Sequence, residues 1–218
     1  MAETNKFFNE RHVDKKVKPR VKYFKSVNWN DVEDTVDKLT WEKLVMQFWT
    51  DTRIPVSNDL EDWRKLSQAE QDMLGKVFGG LTLLDTLQSE EAGMMLIKDA
   101  RNQKEVAVYA NQIFMEAMHA KSYSTIFITL NNNREIEDIF DWIDNNDLVQ
   151  GKAKLINDVY QNGTPLQRKV ASVFLESFLF YSGFYAPLWY LGNNKIPNVA
   201  EIIKLINQVS LGGNTSTK

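Results

Sequence analysis

The chain has 218 residues, of which 43% are apolar and 25% charged, a net charge of −3 and no cysteine. These proportions belong to a globular protein with one sizeable core, and they exclude disulfides and thiolate metal sites. The charge gives no reason to expect nucleic acid or an anionic membrane as a partner. No uncharged apolar run is long enough to cross a membrane and the N-terminus lacks an apolar signal core, so a cytoplasmic location is expected.

Residues 1–27 carry Lys15, Lys16, Lys18, Arg20, Lys22 and Lys25, with few large apolar positions before Tyr23 and Phe24, and read as an N-terminal arm. A first helix is expected near 40–49, with Trp41, Leu44, Val45 and Phe48 on its apolar face. Ser67-Gln68-Ala69-Glu70 is a capping box that opens a long helix through Leu74, Phe78, Leu81, Leu84 and Asp85 to about residue 98. A second long helix covers 102–131 and breaks at Asn131-Asn132-Asn133. Shorter helices are expected over 133–144 and 147–161. Thr164-Pro165 supplies an N-cap and a proline in the first turn for a third long helix, reaching 190. Asn198 and Glu201 cap a final helix, 199–208, which the small and polar residues 209–218 should stop. No stretch alternates as a strand would. The expectation is an all-α bundle over 28–208, followed by a polar tail over 209–218.

The segment Phe114-Met115-Glu116-Ala117-Met118-His119-Ala120-Lys121-Ser122-Tyr123 carries the chemistry. Glu116 and His119 are three residues apart and Tyr123 is four further on, so all three share one helical stripe. The stripe runs among Ile113, Met115, Met118 and Phe127, and burying an ionisable pair there is costly unless something receives it. A metal ion is a common receiver, and Glu-x-x-His on facing helices is how di-metal carboxylate bundles hold their ions. Asp85 and Glu176 lie in the apolar windows 81–87 and 173–181 of two other helices, and buried carboxylates are nearly always paired or metal-bound. By contrast, His12 reads as a solvated side chain of the arm. Glu90, Glu91 and the group Glu135, Glu137, Asp138, Asp141 and Asp144 read as charged surface. Trp29 reads as a packing anchor.

Together, residues 81–88, 114–124 and 169–184 resemble the small, radical-generating subunit of class I ribonucleotide reductase, class Ib in particular. The resemblance spans about residues 22–206 and implies a ferritin-like helical bundle around a di-iron or di-manganese centre. It implies Asp85, Glu116, His119 and Glu176 as metal ligands, Tyr123 as the radical-bearing tyrosine, and Phe180 and Phe184 as its apolar shield. Trp29 is matched to the tryptophan that starts electron transfer. The implied partners are a large catalytic subunit, a flavodoxin-like activator and a second copy in a homodimer.

The chain departs from this pattern near its end. The family carries a second Glu-x-x-His within an Asp-Glu-x-x-His run; in register, Val209, Ser210 and Gly213 stand for the Asp, Glu and His. Only His12 and His119 exist, so no other histidine can substitute. The expectation is therefore a small subunit truncated at its C-terminus. Either a second polypeptide completes it, or it acts as an inactive fragment, a dimerising interaction protein, or a mononuclear metal binder using Asp85, Glu116 and His119.

Overall fold

One helix organises the molecule. In the computed structural model, which describes residues 26–31 and 35–213 and side chains as far as 208, α5 runs Gln103–Leu130 through 28 residues. Its buried positions include Glu105, Val108, Tyr109, Met115, Glu116, His119, Ser122, Tyr123, Ile126, Phe127 and Leu130. These recur every three or four residues, so a single stripe along the helix faces the core. Asn102 caps the helix by accepting from the Glu105 backbone N–H.

The remaining helices pack around that stripe. They are α1 (Thr35–Met46), α2 (Leu60–Lys65), α3 (Gln68–Leu87), α4 (Gly93–Asp99), α6 (Asn133–Asn145), α7 (Asp147–Asn162), α8 (Pro165–Phe174), α9 (Phe180–Gly192) and α10 (Pro197–Gly213). The capping boxes at Ser67–Glu70 and Thr164–Gln167 both form, and they start α3 and α8 where the sequence places them. No strand occurs among the described residues, so the all-α expectation holds.

Close approach is built in with glycine. A Cβ at Gly79 would lie 2.1 Å from the Ile143 side chain of α6, and one at Gly183 would lie 2.7 Å from Leu81. Only glycine lets α3 approach α6 and α9 this closely.

Four features differ from the sequence expectation. The first helix occupies 35–46 rather than 40–49, and a 3₁₀ turn (Val56–Asp59) and α2 come after it unforeseen. The long helices expected over 67–98 and 164–190 are each interrupted by a π-turn, Gln88–Ala92 and Leu175–Leu179. The final helix begins at Pro197, and its N-terminus is satisfied from elsewhere: Asp59 accepts from the Val199 backbone N–H at 2.7 Å and from the Asn198 amide at 2.6 Å. That buried carboxylate at a helix N-terminus replaces the local Asn198–Glu201 cap.

Finally, α10 does not stop at 208 but continues to Gly213. Val199, Ala200, Ile202, Ile203 and Ile206 are fully buried, so packing anchors the first ten residues of this helix. Ile196, also fully buried, enters α10 with φ 43°, a left-handed conformation strained for a β-branched residue and held by the core around it. The expected arm, apart from Ser26 and Val27, lies outside the described residues, as do His12 and the end of the expected tail.

Candidate metal centre

The buried stripe of α5 carries Glu116, His119 and Tyr123, and α3 brings Asp85 against it. A ligand atom from each of Asp85, Glu116 and His119 lies within 4.8 Å of the others, and all three residues are buried. His119 Nδ1 and Glu116 Oε2 are 3.0 Å apart. Asp85 Oδ2 has no hydrogen-bond partner among the described residues. Unmatched polar atoms of this kind are rare in protein interiors.

Electrostatics sharpen the picture. Burial, then the charges of Glu116 and Glu176, push the Asp85 carboxyl well above the carboxylate range. Burial raises Glu116 to about 8 and lowers His119 to about 4, with the Glu176 charge opposing the latter. No cationic side chain contributes to these shifts. Without a cation, the cluster is held as neutral acids and a neutral imidazole. A divalent ion would replace the carboxyl protons with a better partner for every oxygen, and a mixed oxygen and imidazole donor set suits manganese, iron or zinc. The donor set fits one such ion.

The Glu176 side of the cluster is arranged differently. Glu176 lies in the second π-turn and Gln88 begins the first; the Gln88 amide donates to Glu176 Oε1 at 2.8 Å. Gln88 Oε1 in turn accepts the Tyr160 hydroxyl at 2.6 Å. A π-turn adds a residue to the helix and re-aims the side chains beyond it, which is how two such turns place Gln88 and Glu176 face to face. Gln88 and Tyr160 do not stand out in the sequence, and neither carries a signal there beyond its polarity. The described residues give Glu176 no histidine of its own, since His119 is already grouped with Asp85 and Glu116. Among the described residues, the Glu176 side lacks the donors for a second ion.

Tyr123 is fully buried, stacked on Phe78 with ring centroids 6.2 Å apart, and its hydroxyl has no hydrogen-bond partner among the described residues. Burial, then the charges of Asp85, Glu116 and Glu176, raise its hydroxyl well above the usual tyrosine value. Phe180 and Phe184 are buried in the same core and stack on each other at 5.9 Å.

Trp29 is placed elsewhere. It is half-buried and stacks on Trp41 at 5.8 Å, and nearby the Lys104 ammonium donates to the Asp31 carbonyl. Lys104 is fifteen residues before His119, about 22 Å along the helix axis. The tryptophan beside the cluster is Trp49, buried and stacked on His119 at 6.1 Å, with its indole N–H and His119 Nε2 both lacking partners among the described residues. Trp49 lies just after α1, and nothing in its local sequence distinguishes it from a packing residue.

The sequence profile described as "Ribonucleotide reductase, small chain" matches residues 26–208. The ribonucleoside-diphosphate reductase subunit beta of Mycobacterium leprae is 47% identical over 181 residues, covering 83% of this chain and 56% of that protein. Ribonucleoside-diphosphate reductase 2 subunit beta of Escherichia coli K12 is 44% identical over 181 residues, covering 83% and 57%. Among solved structures, the dimanganese(II)-NrdF of Streptococcus sanguinis superposes with a TM-score of 0.86 at 63% identity, covering 87% of this chain and 67% of that one. The chain thus spans a little over half the length of the curated relatives it matches. Its fold is the ferritin-like helical bundle of those proteins, and the chain belongs to the ribonucleotide reductase small-chain family.

Proposed function

We propose that this chain supplies the metal-binding and tyrosine-bearing part of a ribonucleoside-diphosphate reductase small subunit, which serves the reduction of ribonucleotides to deoxyribonucleotides. The observation that carries this reading is the buried cluster of Asp85, Glu116 and His119 on the helix that bears the buried Tyr123 and its neighbour α3. Residues 28–208 form the functional domain in this reading, and Glu176 is a further ligand of the completed centre. A di-iron or di-manganese group, when bound, supplies the one-electron oxidising power that such subunits need.

The side chains have separate tasks. Tyr123 is the residue oxidised, losing an electron and its phenolic proton, and its buried ring keeps water and reductants away. Phe78, Phe180 and Phe184 contribute to that exclusion. Trp49 rather than Trp29 is the better candidate for the first electron-transfer step, because it stacks on a metal-ligand candidate. The partners are a large catalytic subunit, a second copy of the small subunit and, for a manganese form, a flavodoxin-like activator, all in the cytoplasm. No helix among the described residues is long and apolar enough to cross a membrane.

Since Ser210 and Gly213 supply neither a carboxylate nor an imidazole, activity requires a polypeptide that provides them. The test is electron paramagnetic resonance after loading with iron or manganese and oxidant. Residues 1–218 alone should give no stable tyrosyl signal. Adding a fragment of a relative that restores the Glu, the His and the C-terminal segment should produce one, and Tyr123→Phe should remove it. A restored, metal-loaded complex whose radical survives Tyr123→Phe would overturn the assignment.

A further inference from the structure

The two halves of the cluster are not equivalent. At one end, Asp85 Oδ2 is buried without a partner among the described residues, and His119 Nδ1 stands 3.0 Å from Glu116 Oε2. Two donors at that separation suit adjacent ligands on one first-row divalent ion, whose bonds to nitrogen and oxygen are about 2.0–2.2 Å long. At the other end, Glu176 offers only part of its carboxylate, since its Oε1 accepts from the Gln88 amide and Gln88 is anchored by Tyr160. It also lies outside the group of Asp85, Glu116 and His119 whose ligand atoms converge. These neutral donors stabilise the Glu176 carboxylate without an ion on that oxygen.

The facing helix adds nothing to the Glu176 end. Its buried residues Ile202, Ile203 and Ile206 are apolar, and positions 210 and 213 are serine and glycine. An ion there would have Glu176 and a share of Glu116 only. We infer that this chain holds one divalent cation, between Asp85, Glu116 and His119, where its relative from Streptococcus sanguinis is described as dimanganese. Water completes the shell, as is usual where the protein supplies only three ligands. A chain of this kind has no ion pair to share a bridging carboxylate. The inference rests on the reading of Asp85, Glu116 and His119 as ligands, so its test separates the number of ions from their presence.

The experiment uses the full 218-residue chain, stripped with chelator and titrated with Mn(II) alone. Bound metal is counted by elemental analysis after gel filtration, and electron paramagnetic resonance reports whether the ions are coupled. One ion per chain is expected, with the spectrum of isolated Mn(II). Asp85→Asn should weaken binding by at least about tenfold, whereas Glu176→Gln should change it by less than that. The double substitution Ser210→Glu with Gly213→His should raise the count to two and produce a spin-coupled spectrum. Circular dichroism confirms that each variant keeps its helices. Two coupled ions in the unsubstituted chain would overturn the inference and leave the proposed function standing. Loss of the ion in Glu176→Gln but not in Asp85→Asn would overturn it too, by putting the ion at the wrong end. A chain that binds no manganese on its own would overturn the inference, and one that binds none with the completing fragment of a relative would overturn both.

Discussion

Helix α5 carries two buried polar clusters about three turns apart, and they are opposites. At its start, Glu105 is fully buried and ringed by donors: Lys169 at 2.7 Å, Arg101 Nε at 3.1 Å and the Tyr109 hydroxyl at 3.1 Å. Arg101 also reaches the buried Asp37 at 3.1 Å, and Asn102 donates to the same carboxylate at 2.9 Å. Further along, Glu116 and Asp85 meet a neutral histidine and no cationic side chain among the described residues. Burial alone would raise the Glu105 carboxyl, yet the Arg101 backbone N–H and the Lys169 ammonium outweigh it and hold the carboxyl below its ordinary value. At Glu116 burial acts unopposed and the carboxyl rises to about 8. The same residue type on the same helix therefore titrates in opposite directions. One cluster is complete within the chain, and the other is built for something the chain does not supply.

The largest expected effect comes from breaking the complete cluster. Glu105→Ala strands the largely buried Lys169 beside a cavity, and removing one partner of a buried pair costs about 3–5 kcal/mol. The half-exposed Arg101 keeps Asp37 and adds little. For a protein of this size the melting temperature should fall by about 10 °C, measured by circular dichroism. A fall of only a degree or two would mean that the network is decorative. The sign of its pH dependence comes from the direction of the shift. A depressed carboxyl stabilises the fold above the unfolded pKa of about 4.3, and that contribution disappears as pH falls through the lower folded value.

Glu116 should behave in reverse in the metal-free chain. Its raised pKa means that the neutral acid is tolerated below about pH 4.3, and stability is lost as pH rises towards 8. Glu116→Gln should therefore melt like the unsubstituted chain at pH 4 and higher than it at pH 9, by about 2 kcal/mol or more. Added Mn(II) should erase that advantage, since the amide cannot replace the carboxylate as a ligand. If the variant is less stable at both pH values, the His119 Nδ1 contact at 3.0 Å holds the Glu116 carboxyl more strongly than burial penalises it.

These two clusters are not equally legible in the sequence. Glu116, His119 and Tyr123 stand out because their spacing puts charge on an otherwise apolar stripe, and Asp85 and Glu176 because they interrupt apolar windows. The Glu105 cluster leaves no such mark. Its members Asp37, Arg101 and Lys169 come from three separate segments, and only the packing of α1 and α8 against α5 brings them together. Helix starts are readable where a local cap marks them, as at Ser67 and Thr164. The start of α10 is not, because its cap, Asp59, lies 140 residues away from Val199. Both π-turns are invisible, since the extra residue changes the register without changing the composition. Trp49 is hidden for a related reason: which indole meets His119 depends on where α1 ends, and an expected boundary three residues too late conceals it.

Two tyrosines on α5 allow a finer comparison. The Tyr109 hydroxyl donates to Glu105, and Tyr109→Phe should cost about 1–2 kcal/mol, the net worth of a satisfied hydrogen bond whose acceptor is charged. The smallest effect is expected at Tyr123. Its ring is fully buried against Phe78, so its packing survives replacement by phenylalanine, while its hydroxyl loses no bond because it has none among the described residues. Removing a buried polar group that lacks a partner relieves a desolvation cost instead of adding one. Tyr123→Phe should therefore leave metal-free stability within about 0.5 kcal/mol of the unsubstituted chain, or raise it. Urea denaturation of both variants side by side measures the contrast. A cost at Tyr123 equal to that at Tyr109 would show that its hydroxyl is satisfied after all, and that this end of α5 is as complete as the other.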